Sequence, residues 1–258
     1  MSEAAVHLKV VAGVAAVVFD RPAARNAMTW AMYGQLATIC EQLQTERTVR
    51  VVTFQGAGNE AFVVGTDIEQ FKAFHSGEDG VAYEKKIDHV IGLIESLPMP
   101  TLAVINGWTI GGGLAIATAC DFRIATPASR FGVPIAKTLG NCLSMTNLSR
   151  LRAAFGAQRV KRMLLLAEIL NAEEALACGF IGQICESAEI VAAAAHLCER
   201  LTALAPVTQC VSKESLRRLL VHDLPGDEDL IRRCYGSSDF REGVDAFVTK
   251  RSPVWKGS

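Results

Sequence analysis

The feature that most constrains this chain is the triple glycine Gly111–Gly113 in the stretch NGWTIGGGLAIATACD, residues 106–121. It interrupts an apolar run that carries no charged residue from Ser96 through Cys120. Glycine loses more backbone entropy on folding than any other residue, so three in a row indicate a structural requirement. A strand-like segment precedes them and a helical pattern follows, and the first N–H groups of a helix have no partners within it. We therefore expect a strand-to-helix turn whose bare backbone faces another group.

The composition excludes several classes of partner. The 258 residues are half apolar, which suits a sizeable core, and their formal net charge is −1, so no overall field favours nucleic acid or a membrane surface. The charge-free run is long enough to span a bilayer, but its prolines, Asn106 and glycines favour a buried strand, turn and helix. The N-terminal stretch has no signal-peptide pattern. We expect no membrane partner, no nucleic acid and a cytoplasmic location.

The cysteines indicate packing rather than ligation. There are eight, with no C-x-x-C pair, and they lie in apolar periodic segments where free cysteine behaves as a small hydrophobic residue. No cluster of His, Cys, Asp or Glu has ligand spacing, so we expect no metal site.

The order of patterns predicts an α/β fold with a largely parallel sheet. A hairpin over 7–20 is followed by a repeated succession of strand, glycine turn and helix. The segment 61–71 is interpreted as a turn into a helix. From 156 onward the pattern is mostly helical, with a helix that begins at Asn171. We expect a core over 1–195 and a C-terminal helical region over 196–258.

Two glycine turns share one design, FVVGTDI at 62–68 and TIGGGLA at 109–115. Two helix N-termini brought together would hold one carbonyl oxygen between two backbone amides, which is an oxyanion hole. Close packing of helix on strand explains the same glycines. A dinucleotide site is disfavoured because G-x-G-x-x-G is absent.

Five segments resemble the crotonase (enoyl-CoA hydratase/isomerase) superfamily. They are DRPAARNAMT (20–29), AFVVGTDI (61–68), VINGWTIGGGLAIATACDFRIAT (104–126), NAEEALACGFIGQI (171–184) and DFREGVDAFVTKRSPVWKG (239–257). The resemblance implies a spiral of ββα turns, homotrimers or homohexamers, and a role in fatty acid metabolism. It also implies a coenzyme A thioester held through its carbonyl oxygen by the backbone N–H groups of Thr66 and Gly112.

Two departures from the family pattern concern the chemistry. Ala115 and Ile135 stand where hydratases of the family carry their two catalytic glutamates, and neither side chain transfers a proton. The segment 137–151 is crowded with small polar side chains, so Asn141, Cys142 and Ser144 are the replacement candidates. The alternative is that Asn141 caps a helix and Cys142 packs in the core.

The resemblance also implies where coenzyme A binds. It arrives as part of the substrate and not as a resident cofactor. The positions that match the family's contacts with it are Ala24, Arg25, Gly65, Asp67, Lys72, Phe247 and Lys250.

Three functions follow from these residues. The first is an acyl-CoA lyase or isomerase of enoyl-CoA hydratase/isomerase type with unusual acid and base residues. The second is a decarboxylase of a malonyl-type thioester, because loss of carbon dioxide generates the enolate without a base. The third is a non-catalytic acyl-CoA-binding protein. Fold alone does not decide among them, because function depends on the site.

Overall fold

The computed structural model describes residues 4–257, which form ten strands and ten α-helices. The strands are β1 (Ala5–Val11), β2 (Val14–Asp20), β3 (Val51–Gly56), β4 (Ala61–Val64), β5 (Thr101–Ile105), β6 (Trp108–Ile110), β7 (Phe122–Ala125), β8 (Arg130–Gly132), β9 (Ile169–Asn171) and β10 (Gln183–Ile184). The helices are α1 (Trp30–Thr45), α2 (Gly77–Glu95), α3 (Gly112–Ala119), α4 (Ile135–Thr138), α5 (Met145–Leu165), α6 (Ala172–Ala177), α7 (Ile190–Thr202), α8 (Pro206–Val221), α9 (Glu228–Tyr235) and α10 (Ser238–Val248).

The strands form two sheets that the chain visits in alternation. The larger has the order β1-β2-β3-β5-β7-β10 and is parallel except for the β1–β2 hairpin. The smaller has the order β4-β6-β8-β9, with β4, β6 and β8 parallel. The pairs β3/β4, β5/β6 and β7/β8 each give one strand to either sheet. This alternation is the spiral of ββα turns that the resemblance implied, and the α/β prediction is confirmed.

The central strands are apolar along their length because both faces of the larger sheet are covered. β5 is buried at all five residues, and a parallel strand packed on two sides has no solvent face to make polar. The main core joins α1, α2, α3 and α5 to the sheets, while α7 packs on the other side through Ile190, Cys198 and Leu201.

Several local predictions are confirmed. The hairpin predicted over 7–20 forms and turns at Gly13. The Asn171 side chain caps α6 by accepting from Glu174 N at 2.8 Å. The interpretation of 61–71 was wrong in part, because β4 precedes the turn and a 3₁₀ helix, Ile68–Ala73, follows it. β4 has only four residues before the glycine turn, so its sequence pattern is too short to distinguish a strand from part of the turn.

The C-terminal third is helical as predicted, and its last helices return to the core. α9 packs on α2, and α10 packs on α4 and on the 3₁₀ helix after β4. The proposed boundary at residues 195 and 196 falls within α7, so the division into a core and a C-terminal region stays a prediction. Within residues 4–257 no single helix is long and apolar enough to cross a membrane; α7 and α8 meet such a test only as a pair bent by 103°.

Candidate active site

The first glycine turn follows β4. Gly65 adopts φ +82°, which L side chains rarely reach, and its carbonyl accepts a hydrogen bond from Met28 N at 2.8 Å. Asp67 N donates to Met28 O, so Thr66 is fixed between two backbone hydrogen bonds made by its neighbours. The Asp67 carboxylate pairs with Arg21 at 2.8 Å and caps the 3₁₀ helix.

The second turn joins β6 to α3, and each of its three glycines has its own reason. Gly111 adopts φ +54° as the N-cap of α3. A Cβ on Gly112 would lie 2.6 Å from the Tyr33 hydroxyl, and one on Gly113 would lie 2.0 Å from Val63 O. The close-packing explanation therefore holds for Gly113, which lets α3 lie directly on β4.

The two turns lie against each other. A Cβ placed on Gly65 would be 3.7 Å from Gly112 N, and one placed on Gly111 would be 3.8 Å from Gly65 Cα. Within residues 4–257, neither Thr66 N nor Gly112 N has a backbone acceptor. Two unpaired amides at adjacent turns are the arrangement that holds an oxygen on which negative charge develops.

The cavity beside these turns has a volume of about 290 Å³. Both Ala115 and Ile135 line it, so the positions of the two missing glutamates present alkyl groups to the cavity. The other apolar lining side chains are Val64, Ile68, Phe71, Ile87, Ile110, Val133, Leu139, Leu143 and Phe247. An apolar cavity next to two free amides suits an acyl chain whose thioester oxygen lies at the turns.

Glu84 supplies the acidic group of this cavity. It lies on α2, is 2 % exposed, and is the one acidic residue among the described residues that line the cavity. Its Oε1 accepts from the Tyr235 hydroxyl at 2.6 Å and its Oε2 accepts from Ser144 N at 3.0 Å. Burial raises the pKa of this carboxyl to about 8, although both hydrogen bonds oppose the rise. A carboxyl with that pKa exchanges a proton near neutral pH.

A polar network between α2 and α5 holds Glu84 in place. The Ser144 hydroxyl donates to Asp88 Oδ1 at 2.6 Å and accepts from Asn147 N, so Ser144 caps α5. Further along the same two helices, the buried Arg150 makes two hydrogen bonds of 3.2 and 3.0 Å to Glu95. These contacts join α2 to α5 and fix the backbone N–H that Glu84 accepts from.

The structure separates the three replacement candidates. Asn141 lines the cavity, and its Nδ2 donates to the Tyr235 hydroxyl at 3.3 Å. Ser144 is 1 % exposed and lies outside the cavity lining. Cys142 also lies outside it, and a hydrogen bond with Cys234, together with burial, raises the pKa of the Cys142 thiol. A thiol with a raised pKa is a poor nucleophile at neutral pH.

The predicted coenzyme A contacts fall into two groups. Arg25, Gly65 and Phe247 line the cavity together with Thr66 and Gly112. The others lie outside its lining: Ala24, Asp67, Lys72 and Lys250. Of these, Lys72 and Lys250 are exposed, while Asp67 serves the turn as described above.

The comparisons with known proteins identify the family of this chain. The family model described as enoyl-CoA hydratase/isomerase matches residues 9–258. The chain belongs to the enoyl-CoA hydratase/isomerase family. It is 29% identical to a short-chain-enoyl-CoA hydratase of Clostridium acetobutylicum, with 92% of each chain covered. It is 31% identical to an enoyl-CoA isomerase/hydratase of Mycosarcoma maydis, over 95% of this chain and 93% of the relative.

Solved structures of this family superpose over nearly the whole chain. An enoyl-CoA hydratase/carnithine racemase from Magnetospirillum magneticum is 30% identical, with a TM-score of 0.81 over 100% of this chain and 97% of that one. A methylmalonyl-CoA decarboxylase in complex with 2-nitronate-propionyl-CoA is 25% identical, with a TM-score of 0.90 over 98% of both chains. The fold of this family member is thus shared by hydratases and by a decarboxylase.

Sequence reasoning missed Glu84, although a signal for it was present. On α2 the buried residues recur at helical spacing as Val81, Glu84, Ile87, Ile91 and Ile94. An acid that occupies an apolar position of such a helix is either paired in the core or serves a site. The apolar period of α2 predicts a helix, and the acid at position 84 of this enoyl-CoA hydratase/isomerase family member is the departure from that period that indicates a site.

Proposed function

We propose that this protein stabilises the enolate of an acyl-CoA thioester at Thr66 N and Gly112 N, and that Glu84 transfers the proton in a double-bond isomerisation. The observation that carries the proposal is that Glu84, a buried carboxyl with a pKa of about 8, is the one acidic residue among the described residues that line the acyl cavity. In a 3-enoyl thioester the carboxylate removes a proton from the α-carbon, and the electrons move onto the thioester oxygen. The same carboxyl then returns the proton to the γ-carbon, and the product is the 2-enoyl thioester.

A single carboxyl suits this reaction better than hydration. Hydration requires one group to activate water and another to protonate the α-carbon. The positions that supply these two groups in hydratases of the family hold Ala115 and Ile135 here. Isomerisation takes and returns one proton, so one group is sufficient.

Decarboxylation of a malonyl-type thioester is the second candidate, and the same residues favour it. Loss of carbon dioxide leaves an enolate that needs only a proton, and a carboxyl with a pKa of about 8 is mostly protonated at neutral pH. The alkyl side chains of Ala115 and Ile135 disfavour a substrate carboxylate more than a transition state in which the charge has spread. The similarity to methylmalonyl-CoA decarboxylase structures supports this candidate.

The test is mass spectrometry of a 2-enoyl, a 3-enoyl, a saturated and a malonyl-type thioester after incubation in heavy water. We expect the 3-enoyl thioester to become the 2-enoyl thioester with deuterium at the α- and γ-carbons. Decarboxylation of the malonyl-type thioester alone would favour the second candidate. Binding without exchange or product on any of the four would overturn both and favour a non-catalytic acyl-CoA-binding protein.

The Glu84→Gln variant and the pH profile sharpen this test. Removing a general acid–base group typically costs about 10²–10⁴ in rate, and we expect that loss for Glu84→Gln and none for Glu173→Gln, an exposed carboxyl on α6. Isomerisation starts from the carboxylate, so its kcat/KM should rise as pH increases towards about 8. Decarboxylation uses the protonated carboxyl, so its kcat/KM should fall over the same range.

Self-association is part of the proposal. α8 has no fully buried residue, and it exposes Val207, Val211, Leu216 and Leu219. Several exposed apolar side chains on one helix are typical of a subunit interface. We expect trimers or hexamers by sedimentation, and a monomer would contradict this part.

A further inference from the structure

Three hydroxyl groups meet at the first turn. Thr66 Oγ1 lies 2.9 Å from the Tyr33 hydroxyl and 2.9 Å from the Tyr83 hydroxyl. Thr66 and Tyr83 line the cavity, whereas Tyr33 is fully buried and does not. The Tyr33 hydroxyl lies behind the second turn, since a Cβ on Gly112 would be 2.6 Å from it. Thr66 Oγ1 would be 3.6 Å from the same Cβ, so this hydroxyl chain adjoins both turns.

The three hydroxyl groups have more hydrogens than there are hydrogen bonds among them. Three hydroxyls carry three hydrogens, and the two contacts within the chain use two of them. Burial raises the pKa of Tyr33 to about 12 and that of Tyr83 well above its usual value, so both phenols keep their hydrogens at physiological pH. One hydroxyl hydrogen is therefore always left without an acceptor among these three groups.

The location of the extra hydrogen follows from burial. Tyr33 has no other hydrogen-bond acceptor within residues 4–257, and a buried donor without an acceptor is strongly disfavoured. Tyr33 therefore donates to Thr66 Oγ1. The second contact uses the hydrogen of either Thr66 or Tyr83, and the remaining hydrogen is on the other of these two. Both side chains face the cavity, so it is available to a bound molecule.

We propose that the Thr66–Tyr83 hydroxyl pair donates a third hydrogen bond to the thioester oxygen of the bound acyl-CoA, with Tyr33 as the positioning residue that directs it. The proposal rests on the proposed function in one respect, that the thioester oxygen lies at Thr66 N and Gly112 N. A third donor strengthens as charge develops on that oxygen and so favours the enolate over the thioester. Family members with a small apolar residue after the first glycine lack the hydroxyl that joins the two tyrosines.

Two double variants isolate the extra hydrogen. In Thr66→Ser with Tyr83→Phe, the serine hydroxyl accepts from Tyr33 and its own hydrogen remains for the ligand. In Thr66→Val with Tyr83→Phe, neither hydroxyl of the Thr66–Tyr83 pair is left, although valine has nearly the shape of threonine. Thr66→Ala with Tyr83→Phe replaces the valine pair if that variant does not fold. Single variants are less informative, because removing one hydroxyl leaves the other to donate.

The readout is the infrared band of butyryl-CoA carrying ¹³C at the thioester carbonyl, bound to each double variant. A hydrogen bond to the carbonyl oxygen lowers the frequency of this band, and the saturated chain cannot isomerise. We expect a lower frequency with the serine variant than with the valine variant, and α-proton exchange at least about tenfold faster. Circular dichroism checks that both variants fold.

The outcomes separate this inference from the proposed function. A band difference between the two double variants supports the third donor even if the wild-type protein catalyses no exchange. Identical bands with butyryl-CoA bound to both double variants overturn the third donor, whatever the wild-type protein catalyses. Failure of butyryl-CoA to bind the wild-type protein overturns both.

Discussion

The two glycine turns proposed to hold the thioester oxygen and the wall that carries Glu84 are built in opposite ways. The turns are made of backbone: Gly65 and Gly111 supply positive φ, and Gly113 supplies close approach, all within short stretches of sequence. The wall joins groups that lie far apart in the chain, on α2, at the start of α5 and on α9. Glu84 meets Ser144 across 60 residues of chain and Tyr235 across 151.

The difference bears on how one fold supports several reactions. Backbone amides at a turn survive almost any side-chain substitution that leaves the turn intact, so enolate stabilisation is retained. A proton carrier is a single side chain, which can be lost at one element and supplied by another. Here the positions in α3 and α4 hold Ala115 and Ile135, while the proposed proton carrier, Glu84, lies on α2. Substitutions in the two regions should therefore fail in different ways.

Within the backbone region, the largest effect is expected from Gly113→Ala. Its new Cβ would lie 2.0 Å from Val63 O, a backbone atom that cannot rotate away, so α3 must shift relative to β4. Displacing Gly112 N should cost about 10²–10³ in the rate of α-proton exchange, the usual cost of losing one oxyanion donor. The measurement is exchange in heavy water alongside denaturant unfolding.

The control for that prediction is Gly34→Ala on α1, where a Cβ meets nothing within 4 Å. Alanine is favoured over glycine inside a helix by roughly 0.5–1 kcal/mol, so this variant should be slightly more stable and equally active. A Gly113→Ala variant that retains full exchange would show that the second amide is not needed.

The next effect is in the side-chain region and concerns pH. The pKa of Glu84 is raised from 4.5 to about 8 on folding, so the folded state binds more protons than the unfolded state between these values. Wild-type stability should thus fall as pH rises through this window, by up to about 1.4 kcal/mol per pH unit from this group, and level off above it. Glu84→Gln removes this dependence, so its stability relative to wild type should increase from pH 5 to pH 9.

Glutamine can keep a hydrogen bond to both partners of Glu84. Its Oε1 accepts from Ser144 N, and its amide donates to the Tyr235 oxygen. The Tyr235 hydrogen then passes to Asn141 Oδ1, which has no partner among the described residues, once the Asn141 amide rotates. Burial also raises the pKa of Asp88, but Asp88 is common to both proteins. Unfolding free energies that change in parallel with pH would show that Glu84 is ionised in the folded state.

The same contrast explains what the sequence predicts and what it does not. The triple glycine and Gly65 identify both turns, because positive φ and close approach leave glycine as a visible local signature. Ala115 and Ile135 are equally visible as departures from the family pattern. Glu84 acquires its role only when α9 and the α5 N-terminus pack over α2, and no local pattern encodes those contacts. The small polar side chains of 137–151 make Asn141, Cys142 and Ser144 candidates, yet of these three only Asn141 lines the cavity.

The smallest effect is expected from Ser144→Ala. The Ser144 hydroxyl caps α5 and donates to Asp88, and losing an N-cap typically costs about 1 kcal/mol. Glu84 accepts from the backbone N–H of Ser144, which alanine retains, so the proton carrier should stay in place and exchange should fall by no more than about threefold. Thermal unfolding and α-proton exchange measured on one preparation separate these two expectations. A hundredfold loss of exchange with little loss of stability would make Ser144 a catalytic residue and move the proton carrier from α2 to the start of α5.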